Sequence, residues 1–111
     1  MELGKIPPHD IEAEQAVLGS MLTDKDAVIA AMETLKPDSF YREDDKAIYE
    51  AMQNLYSRAE PIDLITLKNE LETMSKLEQV GGLEYLANLP EKAPTSANVQ
   101  KYISKKKKKS M

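Results

Sequence analysis

The side chains in this sequence with the most chemical potential are two groups of closely spaced carboxylates. Glu12 and Glu14 lie two residues apart, and Asp44 and Asp45 are adjacent. Two carboxylates that converge can act as an acid–base pair or bind a metal ion. Side chains one or two positions apart on a helix do not face each other, so neither group is expected to converge. We therefore interpret these acids as charges on solvated helix faces and near helix N-termini.

Few other residues offer chemistry. The chain contains no cysteine, which excludes disulfides, thiolate metal sites and cysteine nucleophiles. Its single histidine, His9, follows two prolines and cannot form a multi-histidine zinc site, so we interpret it as a surface residue. The glycines do not form a phosphate-binding loop of the G-x-x-x-x-G-K-[ST] or G-x-G-x-x-G type. We predict that this chain has no catalytic residue and binds no cofactor, metal or nucleotide.

The charge of the chain is divided between an acidic body and a basic end. The sequence has 15 Lys and Arg against 19 Asp and Glu, and five of the lysines form the run 105–109. Without that run the net charge changes from −4 to −9. An acidic body repels a phosphate backbone, which predicts protein partners and little or no direct nucleic-acid binding. No apolar run approaches the ~18 residues of a transmembrane helix, so no membrane partner is predicted.

The lysine run itself has two interpretations. It could be a polybasic arm for nucleic acid or anionic lipid, which would make the chain a small nucleic-acid-binding helical module. It could instead be a disordered or non-native end. The run contains no interleaved aromatic residue or arginine, which favours the second interpretation. The salt dependence of single-strand binding separates the two, because neutralised phosphates release counterions.

Helices must position these residues, because apolar residues recur at helical spacing and no stretch alternates as a half-buried strand would. A chain of 111 residues is long enough for one domain. The sequence predicts an all-α fold, a compact orthogonal bundle of about six helices. The first three helices are predicted at residues 10–22, with Asp10 as its cap, 26–35 and 43–58. A fourth helix is capped by Asp63 and contains Leu64, Leu67, Leu71 and Met74. A short helix contains Leu83, Leu86 and Leu89, and a last helix begins at Ser96.

The apolar stripes of these helices predict the core. In the fourth helix, Leu67 and Leu71 are expected to be buried. The other inward positions are predicted to be Val28, Ile29, Met32 and Leu35 in the second helix and Ile48, Met52 and Leu55 in the third, with Tyr49 and Tyr56 on the flank of the third.

Several ordered motifs resemble the N-terminal domain of bacterial DnaB-type replicative DNA helicases. The resemblance covers residues 5–103. It is carried by E-A-E-Q-x-V-L-G within Pro7–Leu22, P-I-D-L-x-T at Pro61–Thr66, G-G-x-x-Y-L at Gly81–Leu86, and the segment Pro94–Val99. Two departures stand out: the family often has a histidine where this chain has Asp45, and the lysine run replaces the helical sequence expected after Ile103.

The resemblance implies an architecture and a role. It implies an N-terminal arm at 1–10, a globular helical domain at 11–94, the first arm of a truncated helical hairpin at 95–104 and a lysine-rich tail at 105–111. The implied role is a non-catalytic collar that assembles the hexameric helicase and docks the C-terminal domain of a DnaG-type primase, in the bacterial cytoplasm at the replication fork. ATP and Mg²⁺ would belong to a motor domain absent from this chain.

The resemblance and the residues together indicate a contact surface and an assembly state. We expect primase to contact Glu84 and Tyr85 after the paired glycines, with Asn98 and Tyr102 at the start of the last helix. Tyr85 is expected to point outward, because Leu86 and Leu89 occupy the inward positions. Neighbouring N-terminal domains are expected to pair only weakly on their own, since the family's strongest pairing uses the complete hairpin.

Overall fold

Five α-helices make up most of the described part of the fold. The computed structural model describes residues 8–92, with side chains from residue 11 onward. In this range the structure has no strand, and the all-α fold is confirmed. The sixth predicted helix, from Ser96, lies outside the described residues. The helices are α1 (Pro8–Thr23), α2 (Lys25–Thr34), α3 (Glu43–Ser57), α4 (Leu64–Thr73) and α5 (Gly82–Asn88), with short 3-10 helices at Pro37–Ser39 and Pro90–Lys92.

Side-chain caps and prolines set several of the helix ends. The Asp63 carboxylate accepts a hydrogen bond from the Thr66 backbone N–H at 2.9 Å, and the Thr66 hydroxyl accepts one from the Asp63 N–H at 2.9 Å. This reciprocal capping box starts α4 and confirms the predicted cap Asp63. Asp24 caps α2 through a single hydrogen bond, in which its carboxylate accepts from the Asp26 N–H at 2.9 Å. The predicted cap Asp10 is wrong, because α1 already begins at Pro8, where proline suits the first helical position.

The core lies between α1, α2, α3 and α4. Helix α1 packs against α2 and the 3-10 helix Pro90–Lys92, and α3 packs against α4 and α1. Leu67 and Leu71 are fully buried, which confirms the predicted inner stripe of α4. Ile29 was predicted to be inward but is 45% exposed, because α2 has a narrow buried face of Ala27, Val28 and Ala31.

Tyr49 is part of the core and does not lie on its flank, as had been predicted. Its ring is fully buried with its centroid 5.0 Å from that of Phe40. Its hydroxyl lies 3.0 Å from the Ala31 carbonyl oxygen and 2.9 Å from that of Leu35, to which it donates. A tyrosine can be buried in this way because backbone carbonyls at the end of α2 lie within reach of its hydroxyl and accept from it. Burial raises the pKa of Tyr49 to about 12.

Candidate partner-binding surface

The segment predicted to contact a partner begins at a tight backbone turn before α5. Gly81 has φ +106°, a conformation that residues with a Cβ rarely adopt. A Cβ at this position would lie 2.8 Å from the Cβ of Tyr85, so the turn packs directly on the first turn of α5. Leu86 and Leu89 are buried, as predicted, and they fix α5 on the core.

The prediction that Tyr85 points outward is wrong. Its side chain is half-buried, and its hydroxyl donates to Asp45 Oδ1 at 2.9 Å. The same hydroxyl oxygen accepts from Gln15 Nε2 at 3.2 Å and from Arg42 Nη1 at 3.4 Å, and the Arg42 guanidinium carbon lies 5.6 Å from the ring centroid. Tyr85 turns inward because polar groups of α1 and α3 lie beneath α5. Burial and the neighbouring Asp45 carboxylate raise the pKa of Tyr85 to about 12.

The outer side of α5 carries exposed side chains. Glu84 is exposed, and Leu83 is 43% exposed beside it. The other two predicted contact residues, Asn98 and Tyr102, lie outside the described residues. Of the predicted contact residues that the structure describes, Glu84 therefore lies on the surface and Tyr85 beneath it.

Below Tyr85, two carboxyl groups meet in the interior. Glu14 of α1 and Asp45 of α3 are both fully buried, and Glu14 lies close enough to Asp45 to raise its pKa. Glu14 also accepts backbone N–H groups, from Tyr41 at 2.6 Å and from Arg42 at 3.4 Å. These contacts join the middle of α1 to the start of α3. Solvated faces were predicted for both acids, and for this pair that prediction is wrong.

A signal for this burial is present in the sequence. Glu14 precedes Leu18 by one helical turn, and Leu18 is fully buried. Asp45 likewise precedes Ile48 and Tyr49 by three and four residues, and both are fully buried. Each acid therefore lies on the extension of an apolar stripe. At such a position the side chain points toward the protein interior, provided that the helix extends that far.

The electrostatics of Asp45 follow from this burial. Burial, together with the hydrogen-bonding contact with Glu14, raises the pKa of Asp45 to about 7. The hydrogen bond from Tyr85 opposes this increase, as does the positive charge of Arg42. Arg42 also forms an ion pair with Asp44 at 2.9 Å, and the negative charge of Asp44 partly offsets the effect of Arg42 on Asp45. Asp45 Oδ2 is buried and has no hydrogen-bond donor from the described residues.

An open concave feature in the described part of the chain lies elsewhere. It is an open groove of about 800 Å³ between the α1–α2 junction and the loop from α3 to α4. Exposed apolar side chains line it, among them Ile29 and Tyr56 at 45% and 46% exposure. The residues that line the groove do not include Glu14 or Asp45. A molecule bound in the groove would therefore not contact the buried acids.

Two further features of residues 8–92 bear on function. No three or more His, Cys, Asp or Glu side chains in this range come together as a metal site would require. None of the helices in the same range has the length and apolar character needed to cross a membrane.

Comparison with known proteins identifies relatives along almost the whole chain. The model of the DnaB-like helicase N terminal domain family matches residues 6–106. The chain is 46% identical over 98 residues to the replicative DNA helicase DnaB of Geobacillus stearothermophilus, and equally to the replicative DNA helicase DnaC of Bacillus subtilis (strain 168). In both cases the match covers 88% of this chain and 22% of the relative, so the chain spans about a fifth of the length of these relatives.

A solved structure shares the fold. It is the crystal structure of the N-terminal domain of DnaB helicase from Mycobacterium tuberculosis, which superposes with a TM-score of 0.87 at 42% sequence identity. The match covers 95% of this chain and 76% of the crystallised one. At this identity and coverage the sequence motifs and the helical fold point to the same family.

Proposed function

Because the chain belongs to the family of DnaB-like helicase N-terminal domains, we propose that it assembles a replicative DNA helicase and docks its primase. The domain is the non-catalytic part of such a helicase. The observation that supports the proposal is the family match over residues 6–106 together with the shared fold. Strand separation driven by ATP and Mg²⁺ is assigned to the motor domain of the full-length protein, in the bacterial cytoplasm at the replication fork.

The proposed primase contact is the outer side of α5. Leu83 and Glu84 offer an apolar and an acidic group side by side on the surface, and Asn98 and Tyr102 complete the proposed contact. Tyr85 acts here as a positioning residue, because its hydrogen bond to Asp45 holds α5 against α3. The acidic body fits a protein partner better than a nucleic acid, whose phosphates it would repel.

Titration calorimetry with the C-terminal domain of a DnaG-type primase tests this contact. We expect the double substitution Leu83→Ala with Glu84→Ala to weaken binding by about 30-fold, since loss of a central anchor costs roughly 2 kcal/mol. Both side chains lie on the surface, so circular dichroism should show an unchanged fold.

A matched variant separates this surface from the groove. Tyr56→Ala removes a similarly exposed side chain from the groove and is expected to leave the primase affinity unchanged. If Tyr56→Ala weakens binding and the α5 variant does not, primase docks in the groove and the proposed contact is wrong.

Assembly is proposed to be weak for the domain alone. The described range exposes few large apolar side chains, with Ile29 and Tyr56 in the groove and Tyr41, Ile65 and Leu83 elsewhere, whereas a stable interface buries roughly 1,600 Å². Sedimentation velocity is expected to show association that depends on concentration at micromolar levels or above. A hexamer that persists at nanomolar concentration would contradict this expectation.

A further inference from the structure

Helix α5 carries the proposed partner contact, and its apolar anchors alone do not set its orientation. It has seven residues, and its backbone lies close to α4 and to the 3-10 helix Pro90–Lys92. Leu86 and Leu89 are buried. Apolar burial stabilises without direction, so a short helix held by two leucines can still rotate about its own axis. A polar contact has a preferred distance and angle and can fix that rotation.

The Tyr85 hydroxyl makes polar contacts of this kind with three other side chains. It donates to Asp45 Oδ1 at 2.9 Å. It accepts from Gln15 Nε2 at 3.2 Å and from Arg42 Nη1 at 3.4 Å. A tyrosine hydroxyl has one hydrogen and two lone pairs, so these three contacts use its full capacity. The partners belong to α1, to the residue that precedes α3 and to the first turn of α3, so a single oxygen atom joins α5 to two other helices.

Arg42 differs from the other partners because it holds Tyr85 at two places. Besides the contact with the hydroxyl, its guanidinium carbon lies 5.6 Å from the centroid of the Tyr85 ring, within the range of a cation–π interaction. The other terminal nitrogen, Nη2, forms an ion pair with Asp44 at 2.9 Å. The planar guanidinium is therefore held at both ends. A lysine ammonium has a single nitrogen and cannot span the same two partners with this geometry.

We propose that Arg42 is a positioning residue for the outer side of α5, which it orients by holding Tyr85 against Asp45. Leu83 and Glu84 directly precede Tyr85 on the same helix, so a rotation that moves Tyr85 also moves both of them. The consequence for a partner rests on the proposed function. The orientation of α5 is a property of the domain alone, and the two are measured separately.

Arg42→Lys keeps the positive charge and removes the planar group that spans two partners. We expect this variant to weaken binding of the DnaG-type primase C-terminal domain by about fivefold in titration calorimetry. Arg58→Lys is the matched control, because Arg58 follows the other end of α3 and is paired with Glu60 at 2.9 Å and with Glu70 at 2.6 Å. It disturbs a comparable set of ion pairs and is expected to leave the primase affinity unchanged, which separates positioning from a general loss of stability.

A double-mutant cycle tests whether Arg42 acts through Tyr85. Tyr85→Phe removes the hydroxyl and keeps the ring, so it is expected to weaken primase binding in the same direction as Arg42→Lys. The double variant is expected to lose less affinity than the sum of the two single losses, because both substitutions remove the same contact. Losses that simply add would overturn the proposal, since Arg42 would then act on the partner independently of Tyr85.

Amide hydrogen exchange followed by NMR tests the same residue without a partner. The exchange rates of the amides at 86–88 in α5, divided by those of the core amides at 48–52 in α3, are expected to increase about fivefold in Arg42→Lys and to stay at the wild-type ratio in Arg58→Lys. An unchanged ratio in Arg42→Lys would overturn the proposal. So would wild-type primase affinity for Arg42→Lys where the variant at Leu83 and Glu84 binds weakly. Primase that binds the variant at Leu83 and Glu84 as tightly as the wild type would contradict the proposed contact instead, and the exchange ratio then decides on Arg42 alone.

Discussion

Replacement of Leu71 by alanine is expected to lower the free energy of unfolding by about 2–5 kcal/mol. Leu71 has no exposed surface and belongs to the central core cluster together with Leu67. Truncation removes buried methyl groups and leaves a cavity between helices that cannot fully collapse. Urea denaturation at a fixed pH measures the loss, which is a large part of the stability of a small domain.

Ile65→Ala is the matched control for this prediction. Ile65 lies on the same helix, but it is 71% exposed. Its truncation is expected to change the free energy of unfolding by no more than about 0.5 kcal/mol. A Leu71→Ala variant that loses less than this amount would mean that α4 presents a different face to the core.

Helix α4 shows what a single sequence can predict about this fold. Its start follows from the side chains of Asp63 and Thr66, which cap the helix within four residues of chain. Its inner face follows from the spacing of Leu67 and Leu71, since residues four apart share one side of a helix. Both features depend on neighbours along the chain, so local spacing is enough to find them.

The buried acids show where local spacing is not enough. Glu14 and Asp45 meet across two helices, at a separation of 31 residues in the sequence. The residues one or two positions away from each acid are therefore not the ones that decide its surroundings. The apolar stripes to which the two acids belong could have predicted their burial, but the contact between them depends on how α1 crosses α3.

The incorrect predictions for two tyrosines have a related cause. Tyr49 and Tyr85 were judged by the amphipathic character of their rings, which suits a helix flank or a partner surface. Each instead places its hydroxyl on an acceptor supplied by another element, Ala31 and Leu35 for Tyr49 and Asp45 for Tyr85. A buried tyrosine is identified by its acceptor, and the sequence does not show which acceptors the tertiary fold will bring within reach.

The turn before α5 gives the second large effect. Gly81→Ala is expected to lower the free energy of unfolding by about 2–4 kcal/mol, from the strain of a residue with a Cβ at φ +106° and from a steric clash. The clash is with the Cβ of Tyr85 at 2.8 Å, an atom fixed to the backbone of α5 that cannot rotate away. Helix α5 must then shift, and with it the Tyr85 hydroxyl that donates to Asp45.

Gly82→Ala separates the clash from the backbone strain. Gly82 also has a positive φ, +71°, but a Cβ there would meet no atom within 4 Å. Its replacement is expected to cost about 1 kcal/mol, the penalty of the left-handed conformation alone. Urea denaturation of both variants at the same pH gives their free energies of unfolding. The difference between the two losses is the cost of the clash between the turn and Tyr85. Equal losses for the two variants would show that α5 moves freely enough to absorb the added methyl group, and that Gly81 does not hold Tyr85 over the buried acids.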